Sequence, residues 1–243
     1  SLTGIMDNEL TNGRKHGLKE TLTKLREVAV ETNKEWSAIF GIPQSTAITC
    51  VKPSGTVSQL VDSSSGIHPR HSSFYIRTVR GDNKDPLTQF MMDSQIPNEP
   101  DVMKPDTQTV FSFPMKSPKK SVVRNDMTAI QQLEMWLLYQ RHWCEHKPSV
   151  TISVRDDEWM EVGAFVFKHF DEMSGVSFLP HSDHTYQQAP YQDCTEAVYN
   201  DFSSKFTHID WDKFKSYEKE DNTHSSQTLA CSGDSCEIVD IGV

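Results

Sequence analysis

Two short stretches carry residues whose types and spacing could do chemistry. The first, Pro53-Ser54-Gly55-Thr56-Val57-Ser58, follows a β-branched run and leads into an apolar segment. Proline fixes φ at the first turn of a helix, and glycine lets backbone amides approach an anion closely. The unpaired N–H groups of a helix start favour a phosphate, and Ser54, Thr56 and Ser58 could add hydroxyl bonds. The Gly-Lys-Ser/Thr ending of a Walker A loop is missing. The same residues also describe a Ser-capped helix entrance that holds no ligand. The second stretch is Cys231-Ser-Gly-Asp-Ser-Cys236, where small residues leave the backbone free to close a disulfide. Two incidental cysteines in a polar tail are the plain alternative.

Other candidate groups carry less. Cys144 lies between His142 and His146, but the spacing fits no metal-ligand motif, so packing is expected and no metal. Cys50 reads as a small buried apolar residue. His68, in Gly-Ile-His-Pro-Arg-His-Ser, either lines a pocket or is a turn histidine held by Pro69. His181 to His184 reads as a polar loop, and Glu218 to Asp221 as a solvated charge run.

These groups need a scaffold, and 243 residues suffice for one large domain or two small ones. The net charge of −10 argues against a protein that coats nucleic acid, though not against one bound nucleotide. No apolar run approaches the ~20 residues that span a bilayer. The opening Ser-Leu-Thr-Gly-Ile-Met-Asp-Asn is not a signal peptide. Five irregularly spaced cysteines do not form a secreted disulfide framework, so a cytoplasmic protein with reduced thiols is expected.

The pattern along the chain alternates between helix and strand. Leu18, Leu22, Leu25, Ala29 and Trp36 fall at helical spacing within 18–40, and Gly41 and Pro43 end that helix. Residues 46–51 read as a buried strand feeding the loop at 53–58, and 61–73 as a loop. From 81 to 121, prolines punctuate long connections around one strand at 109–115. A helix follows at about 126–144, capped by Asp126 or Thr128, then a strand at 149–154, a helix at 158–170 and a strand at 175–180. This is an α/β pattern. Beyond about 217 the sequence is polar and aperiodic, so 218–243 is expected to be a disordered tail.

The stretch Thr-Cys-Val-Lys-Pro-Ser-Gly-Thr-Val-Ser-Gln-Leu, continuing to Ser72, resembles the substrate-phosphate segment of ribonucleotide reductase large subunits. Residues 1–8, 143–154 and 175–196 match the same family in order, and the form with Gly55 and Thr56 is most similar to its adenosylcobalamin-dependent (class II) nucleoside-triphosphate reductases. The resemblance implies the C-terminal part of a ten-stranded α/β barrel in residues 1–217. The chain would begin mid-barrel, as after an excised intein, in a split gene or in a truncation. The radical cysteine, its neighbours, the active-site thiols and the effector region would lie upstream.

For the individual residues, the resemblance implies that Pro53, Ser54, Gly55, Thr56, Val57 and Ser58 hold the substrate phosphate. Cys231 and Cys236 would be a thiol shuttle that re-reduces the active site and is itself reduced by thioredoxin or a similar reductant. Cys194, in Cys-Thr-Glu, looks like the family's radical Cys-x-Glu but sits too near the end to serve. The implied partners are a ribonucleotide and the N-terminal part of the reductase, the implied cofactor of the complete enzyme is adenosylcobalamin, and no nucleic acid or membrane is expected. The alternatives are a class I reductase fragment, a non-catalytic nucleotide-binding module and a redox-responsive scaffold using only the tail cysteines.

Overall fold

The structure is a computed structural model that describes residues 1–52, 54, 57–181, 186–206 and 209–218. In chain order its elements are α1 (Leu18–Phe40), α2 (Val57–Leu60), β1 (Phe74–Asp82), α3 (Pro86–Asp93), β2 (Asn98–Pro100), β3 (Gln108–Lys116), α4 (Ala129–His142), β4 (Val150–Val154), α5 (Trp159–Lys168), β5 (Val176–Pro180), β6 (Tyr191–Asp193) and α6 (Glu196–Ser204). They fall into two compact units. The first comprises Ser1–Ser73 and Lys116–His184, and the second Phe74–Met115 with the residues from Thr185 on.

The first unit is built on β4, α5 and β5. The two strands pair in parallel, from Val150 opposite Val176 to Val154 opposite Pro180, with α5 as the crossover. α4 packs its Leu133, Trp136 and Tyr139 into the core with β4's Ile152 and Val154. Thr128 caps α4 reciprocally with Gln131: its hydroxyl accepts from the Gln131 N–H, and the Gln131 side chain accepts from the Thr128 N–H. α1 ends as expected at Gly41, which adopts φ 67° while the Ile42 N–H closes on the Ser37 carbonyl. Its buried stripe is shorter than the spacing predicts: Leu18 and Leu22 are in the core, whereas Leu25 and Trp36 are about half exposed.

The strand expected at 46–51 does not form. Only Val51 bridges, in parallel, to Leu2. The carbonyls that would make a ladder go to separate neighbours instead. Thr49's accepts from the Glu145 and His146 N–H groups, and Cys50's from Leu2 N–H and the Trp143 indole.

The second unit carries a sheet of order β2-β3-β1-β6, with β2 antiparallel to β3 and β6 antiparallel to β1. The proline-punctuated region thus holds more structure than one strand. Asp85 and Pro86 are the N-cap and first residue of α3, with the Asp85 carboxylate accepting the Leu87 N–H at 2.8 Å. Phe90 of α3 is buried and ringed by Trp211, Phe214 and Tyr217 at centroid distances of 5.4 to 5.6 Å. The Tyr217 hydroxyl donates to Asp93 at 2.9 Å, fixing the last described stretch of chain to this helix.

Candidate functional site

After Val51 the chain turns at Ser54 into α2, which is a single helical turn. Ser54 caps it: the Ser54 hydroxyl oxygen accepts the Ser58 N–H at 3.2 Å, and the Ser58 hydroxyl returns a bond to the Ser54 carbonyl at 2.9 Å. Ser58 is fully buried, so its hydroxyl serves the turn. The Ser54 N–H donates to the Ser65 hydroxyl at 2.8 Å, and Ser63 N–H to the Ser58 carbonyl, which pins both ends of the turn to the loop that follows. Val57 is exposed. Pro53, Gly55 and Thr56 lie outside the described residues.

The loop from Asp62 to Arg70 is held against the first seven residues. The Thr3 hydroxyl donates to the Ser64 carbonyl and accepts the Gly66 N–H, each at 3.0 Å, and the Gly4 N–H reaches the Ser64 carbonyl at 2.8 Å. Gly4 sits at φ 69°, where a side chain would be strained and would press on Ser63. Below it, the Arg70 guanidinium forks onto Asp7, with Nη2 at 2.8 Å and Nε at 3.0 Å, and spends Nη1 on Asp62 at 2.9 Å. Asp7 also accepts the Ser64 N–H at 2.7 Å and the Ser121 hydroxyl at 2.9 Å. The Arg70 side chain is 3% exposed. A buried guanidinium is tolerated only with its donors met, and these carboxylates meet them.

The two readings of His68 are now separable. Its Nε2 accepts the Thr151 N–H of β4 at 3.0 Å, so Nδ1 carries the proton and donates to the Ser65 carbonyl, also at 3.0 Å. Burial lowers its pKa from the ordinary value, keeping the ring neutral. His68 therefore ties the loop to the sheet, and both ring nitrogens are occupied.

Cys144 and Cys194 are unsuited to nucleophilic work, and Cys50 is only partly buried rather than in the core as expected. Burial pushes the Cys144 thiol up to about 12, and burial with the neighbouring Asp193 raises Cys194. Cys194 follows β6, its N–H on the Phe74 carbonyl. Beside Cys144, the N–H groups of Ile48 and Thr49 hold the Glu145 carboxyl below its usual range, so this acid is a backbone clamp. Cys231, Cys236 and residues 182–184 lie outside the described residues.

Sequence reasoning missed Thr3, Asp7, Asp62, Ser65 and Arg70, which do most of the positioning. A signal existed: an arginine beside Pro69, in a Ser- and Gly-rich loop, must either reach water or find carboxylates.

Two concave surfaces of the first unit measure about 540 and 670 Å³. One lies among Asn12, Arg14, Lys19, Glu134 and Met135, the other among Arg26, Glu31, Arg141 and His142. Each is smaller than a corrinoid with its nucleotide loop and adenosyl group, and both are lined by charges of either sign. They do not fit adenosylcobalamin. No helix among the described residues is long and apolar enough to cross a membrane.

No family model matches the chain. A protein of Dictyostelium discoideum named "Probable adenosylcobalamin-dependent ribonucleoside-triphosphate reductase" is 29% identical over 98% of this chain and 31% of its own length. The adenosylcobalamin-dependent ribonucleoside-triphosphate reductase of Euglena gracilis is 28% identical over 83% of this chain and 28% of its own. The crystal structure of a B12-dependent (class II) ribonucleotide reductase superposes with a TM-score of 0.78 and 23% identity, covering 90% of this chain and 34% of that one. The chain thus spans between a quarter and a third of the length of the curated relatives it matches, 24% to 31%, and has the α/β fold of the corresponding part of a class II reductase.

Proposed function

We propose that this chain is the C-terminal third of an adenosylcobalamin-dependent ribonucleoside-triphosphate reductase, and that it supplies the substrate-phosphate loop and the terminal thiol pair to an active site completed by the preceding polypeptide. The observation that carries the reading is the placement of the Ser54 turn. It directly follows the isolated Val51–Leu2 bridge and is pinned to the loop behind it by the Ser54 N–H bond to the Ser65 hydroxyl, which supports a fixed turn leading into a helical segment.

Within this reading, the backbone N–H groups of Gly55, Thr56 and Val57, with the Ser54 and Thr56 hydroxyls, would hold the triphosphate, and Pro53 would set the turn. Ser58 and Ser65 shape the turn, and the Arg70–Asp7 pair and His68 set the height of the loop over the sheet. The reaction replaces the ribose 2′-hydroxyl by hydrogen. Two active-site thiols upstream are oxidised to a disulfide as the hydroxyl leaves as water. Cys231 and Cys236 then reduce that disulfide by thiol–disulfide exchange, becoming a disulfide that thioredoxin or a similar dithiol reopens. Adenosylcobalamin, when bound by the complete enzyme, supplies the radical; its site is not assigned to the residues described here. The location is cytoplasmic, where such thiols stay reduced.

The test joins this chain to its upstream polypeptide and measures conversion of ribonucleoside triphosphates with and without adenosylcobalamin. Cobalamin-dependent formation of the deoxynucleotide is expected, and turnover that needs a separate metal-bearing subunit would instead identify a class I enzyme. In the same assembly Gly55→Val should weaken nucleotide binding roughly tenfold or more, about 1.4 kcal/mol, because its side chain strains the turn or fills the phosphate position. Unchanged affinity would remove the loop from the site.

A further inference from the structure

We infer that Cys50 and Cys144 form a thiol pair that a peroxide closes into a disulfide, bracing the segment that leads into the Ser54 turn against the end of α4. The two cysteines are far apart in sequence, yet a set of bonds lays their stretches side by side in the first unit. The Thr49 carbonyl accepts the Glu145 N–H at 2.9 Å and the His146 N–H at 3.1 Å. The Thr49 hydroxyl donates to the Trp143 carbonyl at 2.5 Å, and the Trp143 indole donates to the Cys50 carbonyl at 2.9 Å. Residues flanking each cysteine are thus bonded to the stretch that carries the other. Between them, the Val51 N–H donates to the Cys144 sulfur, and the two thiols lie close enough for charge on one to oppose charge on the other. The Val51 nitrogen is only two bonds from the Cys50 Cα, so a sulfur held on that N–H stands within side-chain reach of Cys50. Both thiols are free, and both are only partly buried. Packing alone accounts for one small apolar side chain at each place, but not for two sulfurs brought together.

The environment of the pair sets the order of reaction. Burial pushes the Cys144 thiol up to about 12, so it stays protonated and is a poor target for an oxidant. Cys50 therefore reacts first: its sulfur attacks one peroxide oxygen, taking the hydroxyl to become a sulfenic acid, and one water is released. The Cys144 sulfur then displaces that hydroxyl, which leaves as a second water with the Cys144 proton, and the S–S bond forms. The two sulfurs lose two electrons in all, and the peroxide gains them. A dithiol reopens the bond by thiol–disulfide exchange. With Cys144 held protonated, the second step is slow at neutral pH, so closure records sustained rather than brief oxidation.

The proposal does not depend on the catalytic reading, since neither sulfur belongs to the Cys231–Cys236 pair, and it is tested without nucleotide. The test uses this chain and the complete polypeptide, each with Cys194, Cys231 and Cys236 changed to Ser. After treatment with hydrogen peroxide, peptide mapping without reductant should find Cys50 linked to Cys144 in both, two hydrogens lighter than the separate peptides, and dithiothreitol should abolish the link. Cys50→Ser should leave Cys144 unmodified at the same dose. Cys144→Ser should leave Cys50 as a sulfenic acid that dimedone labels. Closure should also raise the urea midpoint of this chain, because it shortens a loop of more than 90 residues in the unfolded state while leaving the folded one in place. Absence of the linked peptide from the complete polypeptide overturns the proposal. So does oxidation of Cys144 that is indifferent to Cys50→Ser. A midpoint that falls on closure overturns it as well, because the fold must then be pulled out of shape to bring the sulfurs together.

Discussion

At the scale of the residue, His68 shows how a side chain that looks functional can be committed to architecture. Its Nε2 accepts from β4 and its Nδ1 donates to the loop, so protonation would remove the acceptor that Thr151 uses. Burial is the main cause of its lowered pKa, and the Ser65 carbonyl only partly opposes it. A histidine titrating lower in the fold than in the unfolded chain contributes its stability above the unfolded value of 6.5. That contribution is lost as pH falls from 6.5 through the lowered value. Urea unfolding between neutral and mildly acid pH should therefore show stability falling with pH, and His68→Gln should flatten part of that slope. A slope unchanged by the substitution would place the titrating group elsewhere. The sequence presented His68 and the Ser54 loop as candidates together. It could not rank them, because ring-nitrogen partners 83 residues apart are set by tertiary structure alone.

At the scale of the element, local chemistry predicted what local chemistry controls. The β4–α5–β5 crossover was legible because its apolar runs switch period cleanly between glycine and proline boundaries, and α1 because Gly41 and Pro43 stop it. β1, α3 and β6 were not seen. In α3, Pro86 marks a helix start and had been read as loop punctuation, while β6 is too short to carry a pattern. The strand expected at 46–51 failed for the converse reason: its composition is right, but among the described residues only Leu2 bridges it. What fixes that region is the Glu145 carboxylate on the Ile48 and Thr49 N–H groups and the Trp143 indole on the Cys50 carbonyl, while a salt-bridged joint between the 3₁₀ turn Ile5–Asp7 and Arg70 fixes the loop that follows. Arg70→Met should lower unfolding stability by about 3–5 kcal/mol, since it leaves Asp7 buried without its cation. The double variant with Asp7→Leu should recover part of the loss, as the orphaned charge is then gone. Chemical denaturation of both variants checks this, and a loss below about 1 kcal/mol for Arg70→Met would mean that the joint is not strained by losing its cation.

At the scale of the whole molecule, the proposed function divides between a fold that holds phosphate and a terminus that moves electrons. Changing both Cys231 and Cys236 to Ser in the assembled enzyme should spare a single turnover and abolish repeated turnover driven by thioredoxin. A small dithiol able to enter the active site should restore much of the rate, because it bypasses the relay. Normal turnover with thioredoxin would make the pair incidental, and loss of even the first turnover would give it another role.

The aromatic collar around Phe90 bears on that relay as a matter of tethering. With Trp211, Phe214 and Tyr217 clasped to α3, the chain beyond has a fixed root. Cys231 is the thirteenth residue beyond Glu218, and covalent geometry alone confines that sulfur to within about 45 Å of the root. One thiol pair in a sphere of that radius is present at a few millimolar, roughly, as seen from any point it can reach. For the proposed relay, and against dilute reductant in free solution, the collar would fix a local concentration that no dilution of the enzyme can lower.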